Sequence, residues 1–285
     1  MQELQEAIDL TKRKLELLEQ KEKLESEIKR LNVEVHKLKI IAHNEQADVD
    51  NLKMPGIRGL LLGISGKKQE VLEKEQAEAR KAQKELEYAV ANQASVRYRL
   101  DQCTTDLESL NTCEKVLGKL ISFPDDDTLI TLTRCAEGFS CLQQQISSLR
   151  GALTEVSQLS AIRNGTQSTS ALSGTDSKLL AAERTAQSLL NQLKADIKCF
   201  VENVGPFGIV MDTDTLQGTE DDYLTDLYTY ALITSRVEKI MVILRQLGFQ
   251  MDTIKPQLEQ VTLERHKAYI RILLDAAHKH LHASC

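Results

Sequence analysis

The sequence contains no tryptophan, and its 285 residues include only 5 phenylalanines and 6 tyrosines. Large rings dominate the buried area of ordinary enzyme cores, so this poverty argues against one. Proline is scarce too, with 4 residues, and neither proline nor glycine occurs in residues 1–54 or 67–117. Stretches that long without helix breakers leave room for two very long helices. No apolar run approaches the roughly 18–20 residues a membrane span requires. The first residues, with Gln2, Glu3, Glu6 and Asp9, lack the basic and apolar regions of a signal peptide. An excess of positive charge is also missing. With 36 Lys+Arg against 42 Asp+Glu the net charge is −6, so no nucleic-acid partner is expected.

The six cysteines (Cys103, Cys113, Cys135, Cys141, Cys199 and Cys285) form no CxxC pair. They read as small core hydrophobes in a reducing, cytoplasmic setting.

What the chain does have is Ala, Leu, Glu, Lys and Gln, the composition of long helices and coiled coils. The 41% apolar fraction is too high for general disorder. From Leu24 a heptad runs through Ile28, Leu31, Val35, Leu38, Ala42, Val49 and Leu52, with Glu45 as its polar member. It resumes as Leu72, Ala79, Ala82, Leu86, Ala89, Val96, Leu100, Cys103, Leu107, Leu110, Leu117 and Ile121, interrupted by Glu75, Gln93 and Glu114. Such a repeat is the seam of a left-handed coiled coil. Leu4, Ile8, Leu15 and Leu18 fall out of phase with Leu24, which predicts a local stammer or different packing at the start.

Beyond residue 121 the character changes. Nine of the eleven aromatics lie there, and charge thins out, as in a thicker bundle. Residues 163–177 (RNGTQSTSALSGTDS) read as a mobile linker. Thr219 reads as the cap of a helix starting near Glu220, Gly248 as that helix's end, and Pro256 as lying near the start of a last helix. The expected fold is therefore all-α, with about six helices. Residues 1–120 form a long antiparallel coiled-coil hairpin with its tip at 54–68, and residues 121–285 form a helical bundle.

The tip carries the one candidate contact surface. Ile57, Leu60, Leu61, Leu62 and Ile64 stand where a solvated turn is normally polar, beside Arg58, Lys67 and Lys68. With Lys53 these give a local charge of +4 and no acid between Asn51 and Gln69. Such a segment suits docking into a partner's groove or dipping into an anionic bilayer surface. It equally suits sealing the last layer of the seam.

Three motif resemblances fail on inspection. Around Gly63-Ile-Ser-Gly66-Lys67, the phosphate-loop pattern needs Gly at position 61, which is Leu, and Ser or Thr at 68, which is Lys. In the acidic loop of Asp212, Asp214, Glu220, Asp221 and Asp222, an EF-hand needs Gly and Glu where Gln217 and Tyr223 stand. His278 and His282 have the spacing of two metal ligands, but the end of a helix is a poorly preorganised site. No metal, cofactor or catalytic residue is expected. The reading is a non-enzymatic scaffold or adaptor that binds a protein partner or itself through helices. A peripheral membrane-binding or membrane-remodelling protein is the alternative, and an enzyme with a pocket in the bundle ranks third.

Overall fold

The computed structural model describes residues 2–53, 68–165, 169–216, 219, 224 and 230–283. These are all-α, with no strand among the described residues. The helices are α1 (Gln2–Lys53), α2 (Lys68–Ser109), α3 (Cys113–Leu120), α4 (Asp127–Gly165), α5 (Thr169–Val204) and α6 (Tyr230–Ala283). Two 3-10 turns, Gly205–Phe207 and Asp214–Leu216, lie between α5 and α6. The chain divides into two compact units. One comprises residues 1–123 and 270–285, the other 124–269.

In the first unit, α1 and α2 pair antiparallel. The Cys103 thiol donates to the Leu17 carbonyl at 3.3 Å, and Gln93 Nε2 donates to Asn32 Oδ1 at 2.6 Å, so partners descend along α2 as they rise along α1. The buried residues of α2 here are Ala79, Ala82, Ala89, Val96 and Cys103, and they face the heptad positions of α1. Packing at the start of α1 differs from the rest, as expected. Seven-residue steps back from Val49 reach Ala42, Val35, Ile28, Lys21, Lys14 and Ala7, and Ala42, Val35, Lys14 and Ala7 are buried. Ile8, Thr11 and Leu18 are buried off those steps, whereas Leu10 is 40% exposed, so α1 buries a wider face here.

The second arm helix is broken where continuous helix was expected. Its last turn tightens through i→i+3 bonds from Leu110 to Leu107 and from Asn111 to Glu108, while Ser109 Oγ bonds the Asp106 carbonyl. Ser, Asn and Thr at 109, 111 and 112 offer the backbone such local alternatives to a helix. The short α3 then runs from Cys113 to Leu120, and Ser122 just beyond it has φ +54°. The Phe123 N–H reaches the Gly118 carbonyl at 2.8 Å and the Ser122 N–H reaches Lys119 at 3.3 Å. This is a Schellman stop, with serine where glycine is usual.

The second unit packs α4, α5 and the body of α6 around one core. Leu132, Cys135, Phe139, Leu142, Ile146, Leu149, Leu153 and Val156 of α4 meet Leu190, Leu193, Ile197 and Phe200 of α5. The expected linker is largely helical. Residues up to Gly165 belong to α4, α5 resumes at Thr169, and Arg163 Nε pairs with Asp176 Oδ1 at 2.7 Å. Helix propensity is a weak prior, and Ser and Thr adopt helix when tertiary packing favours it.

Nor does Gly248 end a helix or Pro256 stand near the start of one. Ile240, Ile243, Leu244, Leu247, Met251, Ile254 and Leu258 form one buried stripe straight through both. A mid-helix Gly costs about 1 kcal/mol and a Pro about 3. Each buried aliphatic side chain returns about 1.5–3 kcal/mol, so the stripe wins. Glycine also has a use here. The Arg150 guanidinium donates to the Leu244 carbonyl at 2.8 Å, with Nη2 only 3.2 Å from where a Cβ on Gly248 would stand.

The entry to α4 is locked twice. Asp126 Oδ1 accepts from the Leu129 N–H at 3.0 Å as an N-cap, and Oδ2 pairs with Arg265 Nη2 at 2.7 Å. Burial pushes this carboxyl up, but the Arg265 hydrogen bond and the capped N–H outweigh it and hold it below its ordinary value. A carboxylate depressed in the folded state adds stability above the unfolded value, near 3.9. That stability is lost as pH falls through the folded value. We expect Asp126→Asn to cost about 2 kcal/mol at neutral pH. Below about pH 4 its stability should converge on that of the wild type. Urea titrations at pH 7 and pH 3 test this, and an equal deficit at both values counts against it.

Candidate interaction surfaces

The tip segment that carries the sequence-level prediction joins the end of α1 to the start of α2. Ile57, Arg58, Leu60, Leu61, Leu62, Ile64 and Lys67 lie outside the described residues; Lys68 is described only as the first residue of α2. Leading into it, Leu52 is buried and Lys53 is exposed. Just below, α1 and α2 leave a groove of 560 Å³ between them. Its floor is Ala42, Val49 and Ala79, and its rim carries Lys53, Arg80, Lys84 and Glu87. Alanine at both seams explains the groove, because a methyl fills little of the space between two helices.

On α1 and α2 near this level, Glu45, Asp48 and Glu75 bring three carboxylates within 4.8 Å of one another. The heptad already marked Glu45 and Glu75 as polar intruders in the seam, but only the antiparallel register brings them together. Among the described residues, none of the three is in an ion pair.

The base of the first unit holds a polar pair that the sequence did not reveal. Lys14 Nζ meets Glu114 Oε1 at 2.8 Å, with side chains only 8% and 12% exposed. Thr11 is fully buried beside them on the same α1 face. A weak signal existed, since Lys14 and Glu114 both fall on seam positions of opposite charge. Nothing in spacing alone says that they touch.

The cysteines behave as core residues where they are buried. Cys103, Cys113 and Cys135 are inside, and burial pushes all three thiols up, which makes them poor nucleophiles. Cys141 and Cys199 are exposed along a cleft of 490 Å³ between α4 and α5, with Arg134 and Asp196. The described cysteines are all free. His278, His280 and His282 stand exposed on the last turns of α6. In the acidic loop, Asp212 Oδ1 accepts from the Asp214 N–H at 2.8 Å and so starts a 3-10 turn. Glu220, Asp221 and Asp222 lie outside the described residues. The Thr219 hydroxyl donates to the Leu216 carbonyl at 2.9 Å.

Leu224 and Thr219 are held from α5. Gln187 Oε1 accepts from the Leu224 N–H at 2.7 Å, and Lys194 Nζ bonds the Thr219 carbonyl. Ile209, Met211 and Leu216 join the core. Among the described residues, no helix is long and apolar enough to cross a membrane.

No protein-family model, curated protein or solved structure matches this chain.

Proposed function

We propose that the protein is a non-enzymatic scaffold or adaptor whose α1–α2 pair carries a docking tip at residues 54–68. The observation that carries this is the tip's composition. Five large aliphatic residues and three cations without an acid stand at the join of two otherwise heavily charged helices. An apolar centre with a charged rim is the anatomy of a small protein interface. Free, partly buried cysteines suit a reducing compartment and agree with work inside the cell.

The test is the triple variant Leu60→Ser, Leu61→Ser, Leu62→Ser, compared with the wild type in affinity capture and circular dichroism. We expect partner capture to fall at least tenfold, since each buried leucine lost from an interface costs more than about 1 kcal/mol. Helicity should be unchanged. A collapse of helicity instead would make the tip a structural seal. The tip's charge also favours a second reading, contact with an anionic membrane surface. Co-sedimentation with anionic vesicles at low salt separates the two: the adaptor reading expects none.

A further inference from the structure

The outer side of α1, turned away from its seam with α2, carries an exposed stripe of mixed character. Val33, Ile40 and Ile41 are 56%, 50% and 46% exposed. Arg30, Lys37, Asn44 and Asp48 are exposed along the same side. Charge along this stripe is ordered. Arg30 stands toward its N-terminal end, with only a loose 3.8 Å pairing to exposed Glu34. Asp48 stands toward its C-terminal end, crowded by Glu45 and Glu75 within 4.8 Å and without a cation among the described residues.

A helix side that is basic at one end, apolar in the middle and acidic at the other is complementary to itself when reversed. In a two-fold arrangement, residue i meets residue j and j meets i, so each favourable pair is made twice. We propose that two copies of this chain associate through the outer side of α1, antiparallel, about an axis near Lys39. Arg30 of each copy then faces the carboxylates of Asp48, Glu45 and Glu75 of the other. Ile40 and Ile41 of both copies meet beside the axis, and Lys37 lays its aliphatic stem along Ile41 of the second copy. The cation relieves three crowded carboxylates, and the isoleucines leave water. This surface is separate from the tip, so the two readings stand or fall independently.

Three apolar residues per copy make a small interface, so association should be weak, with a dissociation constant on the order of 10 µM. Sedimentation velocity of the full chain across that range tests it. We expect Arg30→Glu and Asp48→Arg each to weaken dimerisation at least tenfold. Combining them should restore most of the affinity, because each copy then offers the swapped pair. Repair within one copy is ruled out by distance, since 18 residues of helix separate the two positions by about 27 Å. Replacing Ile40 and Ile41 with Lys should leave only monomer. All these positions are exposed, so circular dichroism should match the wild type. The proposal is overturned if the wild type stays monomeric tenfold above that concentration. A dimer indifferent to the single reversals, or a double variant no better than either single, overturns it equally.

Discussion

Replacing Glu114 with alanine should cost the first unit about 3–4 kcal/mol, among the largest effects of any single change in this protein. Lys14 would be left with its ammonium in a site where its side chain is only 8% exposed, on a stretch of α1 where Ile8, Thr11 and Leu17 are buried too. An unpaired charge in that position must drag in water, lose its proton or force the helices apart. Lys14→Ala should cost less than Glu114→Ala only where water can reach the carboxylate, which is 12% exposed. The double variant Lys14→Met, Glu114→Leu separates two meanings of the pair. A well-packed apolar replacement often matches or exceeds a buried ion pair, so most of the lost stability should return. Hydrogen exchange read by mass spectrometry gives the local answer. Protection in residues 1–24 and 113–123 should drop in the single variants and recover in the double. If the single variants exchange like the wild type, the pair is not structurally coupled.

Phe139→Ala should cost the second unit about 3–5 kcal/mol. Rings are so few here that each buried one carries a large share of its core. Phe139 and Phe200 lie with ring centroids 6.0 Å apart at 52°, within the range of favourable tilted pairs. The Phe200 ring also comes within 3.9 Å of where a Cβ on Gly138 would stand, an ordinary packing contact. Deleting a ring from a packed core leaves a cavity that its surroundings close only in part. Phe139→Leu keeps most of the volume and should cost about 1–1.5 kcal/mol. Urea unfolding followed by circular dichroism measures both. Equal costs for the two variants would mean that the site relaxes freely and that the ring pair contributes nothing specific.

Much of this fold was legible because apolar residues recur at regular steps. On α4, Cys135, Phe139, Leu142, Ile146, Leu149, Leu153 and Val156 recur at three- and four-residue steps, and all are buried. On α5, Leu179, Ala182, Ala186, Leu190, Leu193, Ile197 and Phe200 recur at the same steps and are buried too. Errors arose where one physical term was read without its competitor. Gly248 and Pro256 signal a break locally, but the buried stripe from Ile240 to Leu258 overrides them. The Ser/Thr-rich run after Arg163 has low helix propensity, but residues up to 165 and from 169 onward belong to two long helices. Lys14 is buried on α1 although a lysine breaks an apolar period, because its charge is paired across space with Glu114. Of the candidate sites, the tip was legible as composition alone. The carboxylate cluster needed the antiparallel register, since Glu45 and Glu75 are far apart in sequence.

The first unit includes residues 270–285, which follow the second unit in sequence. Ile270, Leu273 and Ala277 are buried, and Arg271 reaches Glu19 at 2.8 Å, although the whole second unit intervenes in sequence. On a ribosome these residues emerge after the whole second unit, so α1 must wait with part of its apolar surface uncovered while everything between is made. Such delayed closure is a long-range contact of the kind that slows folding. It also leaves a window for aggregation during synthesis. Ribosome-bound chains ending before Ile270 should therefore be the species most in need of a chaperone.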